Sequence, residues 1–448
     1  MKFQPHVVPE VGAKEQQPKD DSFSPPSNQT DQMSIVEGLR GLYADVRHQP
    51  SFSKKCQRSL HLSWTACTEI VRITAAIPYA WRAARIHKQH SRKKLSSHYD
   101  DNNNSIDDDD VLLLPAVPYG SHKRQVADIW LPPRSLSESN EDANNEGGAG
   151  KNRPMCLFIH GGVWSSGEAW HYAPMARCLA QHGIITAVMT YRLFPETGAK
   201  GQAADVCAAL AWCASQVAQT HKGDAENIAL VGHSAGAHLC ALALCAKAAS
   251  LSNLVDDDSI LKKASRVQPR RFVSLNGVFD IPSHYEYERR RGVESLSTMK
   301  RAMGDSHEAM AALSPSLILR GESKCADADS LSGRRTTRLF SRALNKDKKD
   351  KDKDKDTMAP SSIAARFPEE TYFLTALGDT TVPFVESVQM HGALQEAGAP
   401  HSELLLYPAP NDHGSLVLAW PGGAKHRFGD DNDLAPWSRD LLDIIRHK

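Results

Sequence analysis

Residues 228–249 read IALVGHSAGAHLCALALCAKAA, and Gly232-His233-Ser234-Ala235-Gly236 divide them in two. Ahead of the break stands a short unbroken apolar run, the pattern of a strand buried on both faces of a parallel sheet. Behind it comes an alanine- and leucine-rich stretch long enough for about four helical turns. A G-x-S-x-G sequence at such a junction is a sharp turn that lifts its serine out of the chain. Its glycines remove side chains where the backbone crowds on itself. Serine alone is a weak nucleophile, so the turn predicts a base within reach and an acid that orients it.

Outward from this turn, strands and helices alternate. Residues 154–160 (PMCLFIH) and 184–191 are two further buried strands upstream, and 124–131 (RQVADIWL) alternates like an edge strand. Residues 168–182 and 202–219 have helical spacing. Downstream, 272–275, 371–377 and 403–407 read as strands, and 385–397 and 437–446 as helices. The rhythm predicts an α/β fold with a mostly parallel sheet and helices on both faces.

His160-Gly161-Gly162-Val163-Trp164 follows the first buried strand directly. Acyl transfer builds negative charge on a carbonyl oxygen, and backbone amides aimed at that oxygen lower the barrier. The amides of Gly162 and Val163, with that of Ala235 from the turn, are the expected donors, and Gly161 lets the loop approach. His160 is expected to hold the loop by hydrogen bonds. The acid and base should lie downstream in the order Ser, Asp, His. Asp379 follows the strand TYFLTAL, and His413 follows ELLLYP, each at the carboxyl end where open sheets place site residues. Asp412 is a rival for the acid, but a neighbour of the histidine reaches its ring poorly. His233 and His401 are rivals for the base. Trp164, Trp170, Phe194, Phe279 and a cap over 282–301 are candidates for the acyl pocket. The chemistry needs no cofactor and no metal.

Composition narrows the classes. Lysine plus arginine and aspartate plus glutamate number 53 each, which gives no global reason for a nucleic-acid partner. The nine cysteines form no CxxC pair, so neither a disulfide framework nor a zinc site is expected, and reduced thiols suit an intracellular protein. No apolar h-region opens the chain, so no signal peptide is expected. Residues 1–55 read as disordered, 56–94 as a basic amphipathic helical arm, 95–110 as an acidic linker, and 111–448 as the catalytic domain. Within that domain, 321–366 with KDKKDKDKDKD reads as a disordered insertion. The apolar stretch 60–81 is interrupted by Glu69 and Arg72, too broken to span a bilayer. With its basic flank, 60–94 fits peripheral contact with an anionic membrane, or packing on the catalytic domain. The expected location is cytoplasmic or peripheral on an endomembrane. Oligomeric state is not legible.

HGGVW, Tyr191-Arg192-Leu193-Phe194-Pro195-Glu196 and GHSAGAHL resemble the carboxylesterase/arylformamidase branch of the α/β-hydrolases, with a BD-FAE-like domain. The run GGVWSSGEAWHYAPMARCLAQHGIITAVMTYRLFPE looks most like prenylcysteine α-carboxyl methylesterases, as do VPYGSHKRQVADIWLPP and LSPSLILR. The resemblance implies the α/β-hydrolase fold and hydrolysis of the methyl ester on a C-terminal prenylated cysteine. It carries the site over to Gly161, Gly162, Val163, Ser234, Asp379 and His413. The chain has GHSAG where those methylesterases lead one to expect GQSAG. Three functions follow from the same residues: a serine esterase on a small-molecule or prenylated-peptide ester, an arylformamidase-type amidase on N-formylkynurenine, and a non-catalytic ligand receptor on a hydrolase scaffold.

Overall fold

The computed structural model of the protein describes residues 46–96, 110–134, 136, 152–249, 258–294, 296–323, 359–421 and 434–446. The expected disorder of 1–45, the acidic linker over 97–109 and the lysine-rich part of the insertion, 324–358, lie outside the described residues.

A long helix, α1 (Phe52–Ser96), precedes β1 (Leu112–Pro118), β2 (Val126–Leu131) and β3 (Arg153–Ile159). A 3-10 turn at Ala169–Tyr172 then feeds α2 (Ala173–Gln181), followed by β4 (Ile185–Met189), α3 (Ala199–Trp212), β5 (Gly223–His233) and α4 (Ala235–Ala249). After β6 (Arg271–Leu275) come α5 (Ile281–Arg291), β7 (Glu370–Ala376), α6 (Val385–Ala397), β8 (Ser402–Tyr407) and α7 (Pro436–Arg446). The strands form one sheet in the order β1-β2-β4-β3-β5-β6-β7-β8. β2 pairs antiparallel with both β1 and β4, and every pair from β4 to β8 is parallel. This is the α/β-hydrolase fold expected from the sequence.

The central strands are apolar throughout because both faces of the sheet are covered. On β3, Met155, Leu157 and Ile159 enter one core, together with Ile228 and Leu230 of β5, Leu239 and Leu242 of α4 and Met390 of α6. Cys156 and Phe158 enter the other, with Ala229 and Val231, Met175 and Leu179 of α2, and Leu441 and Ile445 of α7. Successive side chains of a strand point to opposite faces, so one uninterrupted apolar run serves two cores.

Three expectations change. Residues 124–131 are not an edge: β1 lies outside β2, whose inner four residues are all buried. β1 itself escapes the sequence pattern because a register shift between Leu114 and Val117, with Ala116 at φ 51°, breaks the alternation. The helix expected over 202–219 starts at Ala199 and loosens into a π turn at Cys213–Val217 before a last turn at Ala218–His221. The far end of the insertion folds earlier than expected, as a short helix Pro360–Ala364 with Ile363 and Ala364 buried.

α1 begins at Phe52, inside the stretch read as disordered, and its C-terminal half packs on the second face. Ala83, Ile86 and His90 are buried there. His87 Nε2 meets Asp128 Oδ2 at 2.8 Å, and the His90 ring lies 5.3 Å from that of Trp130. The Arg82 guanidinium donates to the carbonyls of Leu418 (3.1 Å) and Trp420. Among the described residues, no helix is long and apolar enough to cross a membrane.

Phe158 is fully buried, its ring 4.7 Å from that of Tyr172. Phe158→Ala is expected to lower stability by about 3–5 kcal/mol, the usual cost of a large cavity in a close-packed core. The shift in urea midpoint at unchanged slope reads it; a change below about 1 kcal/mol would mean that this face is not close-packed.

Candidate active site

β5 ends at His233, and Ser234 follows at φ 54°. A non-glycine residue rarely holds this left-handed conformation, and it persists only where the surroundings enforce it. The Ser234 amide donates to the Leu275 carbonyl at 3.0 Å, and its own carbonyl accepts from the amides of Ala237 (3.0 Å) and His238 (3.2 Å). Gly236 is required by proximity: a Cβ there would sit 2.2 Å from the Ile159 carbonyl oxygen. The first turn of α4 therefore presses backbone to backbone on the end of β3.

The loop after β3 closes on the other side of the serine. A Cβ on Gly161 would lie 3.1 Å from that of Ser234. Gly162, Val163 and Trp164 all have positive φ, at 126°, 52° and 60°. For a β-branched residue such as Val163 this is a genuine outlier, and a network from four directions holds it. The Trp164 carbonyl accepts from Gln202 Nε2 (2.7 Å) and the Phe194 amide (2.9 Å). Trp164 Nε1 donates to His238 Nδ1 at 3.2 Å, and His238 Nε2 donates to the Leu313 carbonyl at 2.8 Å. Arg124 donates to the Gly167 carbonyl (2.8 Å) and Glu168 (2.6 Å). Thr298 Oγ1 donates to the Val163 carbonyl from the segment above the site. The amides of Gly162, Val163 and Ala235 donate no hydrogen bond to any described residue. His160 is buried against Tyr191, ring centroids 4.3 Å apart, with Nδ1 2.7 Å from the Gly161 carbonyl.

Asp379 and His413 meet as the sequence order required. His413 Nδ1 lies 2.7 Å from Asp379 Oδ2, and the aspartate side chain is fully buried. Asp379 Oδ1 accepts from the amides of Thr381 and Val382, both at 2.8 Å. An acceptor-only carboxylate at Nδ1 puts the ring proton there and leaves Nε2 as the basic atom. Asp412 is turned elsewhere, its Oδ1 accepting from the amides of Gly414 (3.1 Å) and Ser415 (2.9 Å). The His413 ring lies 4.8 Å from that of His233, the residue before Ser234. No hydrogen bond joins Ser234 Oγ to His413 among the described residues; such contacts often tighten only once substrate is bound.

The rival histidines differ. His401 is exposed, 3.9 Å from Glu403. His233 is buried with both ring nitrogens engaged, 3.4 Å from Tyr172 Oη and 3.0 Å from the His413 carbonyl. Two aromatic candidates for the pocket belong instead to the core: Phe279 is fully buried, edge-on to Phe373 at 5.6 Å, and Trp164 is buried against His238. Phe194 stays half-buried, under the guanidinium of Arg301. The segment read as a cap contains α5 and a short helix, Met299–Ala302. Sequence reasoning missed Asn276, Tyr172, Thr298 and His238. Of these, only His238 carried a signal, one helical turn beyond Ser234.

Residues 144–323 match the BD-FAE family model. The BD-FAE segment carries the serine turn and the glycine loop, while Asp379 and His413 lie beyond it. The chain is 25% identical to an isoprenylcysteine alpha-carbonyl methylesterase of Arabidopsis thaliana, over 70% of this chain and 60% of that one. It is 26% identical to a rice protein of the same name, there qualified as probable, over 71% and 62%. The chain thus spans about 60% of the length of these curated relatives. Esterase B from Lactobacillus rhamnosis superposes with a TM-score of 0.49 at 16% identity, covering 81% of this chain and 96% of that one.

Burial pushes the pKa of His160 and His233 down to about 3 and that of His238 to about 4. All three are neutral when folded and gain a proton on unfolding, near the ordinary histidine value of about 6.5. The stability they contribute is full above pH 6.5 and is lost as pH falls toward 4, at up to about 1.4 kcal/mol per histidine per pH unit. Urea midpoints should therefore drop steeply between pH 7 and 5; an unchanged midpoint would contradict the burial of these rings.

Proposed function

We propose that this protein is a serine hydrolase that cleaves a carboxylic ester through an acyl-enzyme. Ser234 is the nucleophile, His413 the general base and Asp379 the acid that orients it. The observation that carries this reading is the contact of His413 with the buried Asp379 at 2.7 Å, set beside a serine at positive φ, with the amides of Gly162 and Val163 in the flanking loop and of Ala235 in the turn donating to no described residue.

The chemistry follows from the proton positions. With Nδ1–H donated to Asp379, His413 Nε2 takes the proton of Ser234 Oγ as Oγ attacks the ester carbonyl. Charge develops on the carbonyl oxygen and is met by the amides of Gly162, Val163 and Ala235, each lost donor being worth about 3 kcal/mol. As the tetrahedral centre collapses, the C–O bond breaks and the alcohol leaves with the proton from His413. Water, deprotonated by the same nitrogen, then releases the acid and restores Ser234.

For the substrate, the methylesterase relatives favour the methyl ester of an isoprenylated cysteine, with methanol as the leaving alcohol. A lipid-bearing substrate would be met at a membrane surface. The outer stripe of α1 suits such a place: Ile77 and Trp81 are 58% and 65% exposed and stand at helical spacing from exposed Arg85 and Lys88. The Arg85 guanidinium sits 5.6 Å from the Trp81 ring centroid, an aromatic and cationic pairing fitted to an anionic headgroup layer.

Ser234→Ala should reduce kcat on a p-nitrophenyl acyl ester by about a thousandfold or more. Equal turnover by that variant would overturn the assignment, and failure of a fluorophosphonate to label Ser234 in the wild type would favour a receptor. A higher kcat/KM for N-formylkynurenine than for a prenylcysteine methyl ester would favour the amidase. Wild type should pellet with phosphatidylserine vesicles, and Trp81→Ala with Arg85→Glu and Lys88→Glu should not. Equal pelleting would clear α1 of this role.

A further inference from the structure

A line of hydrogen bonds crosses the site beneath the serine. The Gly161 amide donates to Tyr172 Oη at 3.0 Å. Tyr172 Oη lies 3.4 Å from His233 Nδ1, and His233 Nε2 lies 3.0 Å from the carbonyl oxygen of His413. Proton counting fixes every role in this line. The His413 carbonyl can only accept, so His233 carries its hydrogen on Nε2. Neutral imidazole then has a bare Nδ1. Tyr172 Oη already accepts from Gly161, so its own hydrogen is free to point at that nitrogen. One tautomer satisfies the whole chain.

We infer that His233 is a positioning residue that ties the backbone of His413 to the glycine loop after β3, fixing the distance across Ser234 between the base and the oxyanion amides. This rests on the hydrolase reading above. A second grip comes from β6. Asn276, at φ 49°, donates from Nδ2 to the carbonyls of His413 (3.1 Å) and Asp412 (3.3 Å), while its Oδ1 accepts from the Ala376 amide at 2.9 Å. The His413 carbonyl is therefore held from the ends of two neighbouring strands. Only the grip through His233 continues to the glycine loop. His233 is buried; the titratable groups that face it are Tyr172 at Nδ1, His413 across the ring and, electrostatically, Asp379 and His160. Burial pushes its pKa down to about 3, so the imidazole stays neutral and the link intact near neutral pH.

Side-chain reach supplies the test. Glutamine can present a donor at about the reach of Nε2, whereas asparagine reaches only as far as Nδ1. On a p-nitrophenyl ester, His233→Asn should lose about 10- to 100-fold in kcat with KM within about twofold of wild type. The rate of fluorophosphonate labelling per titratable Ser234 should fall in parallel. His233→Gln should regain most of both. Tyr172→Phe, which keeps the imidazole and the ring packing, should show a smaller loss of the same kind. A purely structural role would instead lower the number of active sites and the Tm while leaving the rate per site intact. If His233→Asn folds and retains wild-type rates per site, or if His233→Gln is as slow as His233→Asn, the inference is wrong. If His233→Asn does not fold, an unchanged per-site rate in Tyr172→Phe overturns it equally. A wild type that neither labels nor turns over ester removes the hydrolase reading first and this inference with it.

Discussion

Everything in the site depends on how closely the first turn of α4 lies against the end of β3. Gly236 faces the carbonyls of Ile159 and His160 with no space for a Cβ. That approach sets the serine turn and the glycine loop edge to edge, so their amides can converge on one point. A side chain at 236 would separate the two backbones, and no adjustment of rotamers would restore the spacing. The positive φ values of Ser234, Val163 and Trp164 are the local strain that this arrangement requires. The network through Trp164, His238, Gln202 and Arg124 keeps the strained loop in place.

The sheet supplies the rest of the geometry. β3, β5, β6, β7 and β8 are adjacent and parallel, so their carboxyl ends lie along one rim. Gly161, Ser234, Asn276, Asp379 and His413 each follow one of these strands. Residues as far apart along the chain as His233 and His413, 180 positions, are thereby brought into hydrogen-bonding contact without a long ordered loop. Asp379 and His413, which follow the last two strands, lie beyond the BD-FAE match, which carries the Ser234 turn and the glycine loop.

Much of this was legible in the sequence because the strands after residue 150 are apolar on both faces and bounded by glycine or polar residues. The strand-end positions of Ser234, Asp379 and His413 follow from the apolar runs and chain order, and the pairing of His413 with Asp379 instead of Asp412 follows from reach. β1 was not readable, since its bulge near Ala116 and Pro115 break the period of two. Phe279 and Trp164 are candidates for pocket walls in the sequence because an aromatic residue near a strand end looks the same whether it faces a ligand or the core, and burial places both in the core. Asn276 and Tyr172 gave no signal. Their value lies in hydrogen bonds to backbone atoms remote in the chain, which no local pattern encodes. For α1 the sequence leaves packing on the catalytic domain beside membrane contact, and the contacts of Arg82, His87 and His90, which no local pattern encodes, show that its C-terminal half does pack there.

The most direct test of the account is a crystal structure of the protein after reaction with an alkyl phosphonate. The account predicts a phosphorus–oxygen bond to Ser234, a phosphoryl oxygen about 2.7–3.1 Å from the amides of Gly162, Val163 and Ala235, and His413 Nε2 within hydrogen-bonding distance of the adduct. A phosphonate attached elsewhere, or an imidazole at 413 turned away from the adduct with its Asp379 bond broken, would contradict it.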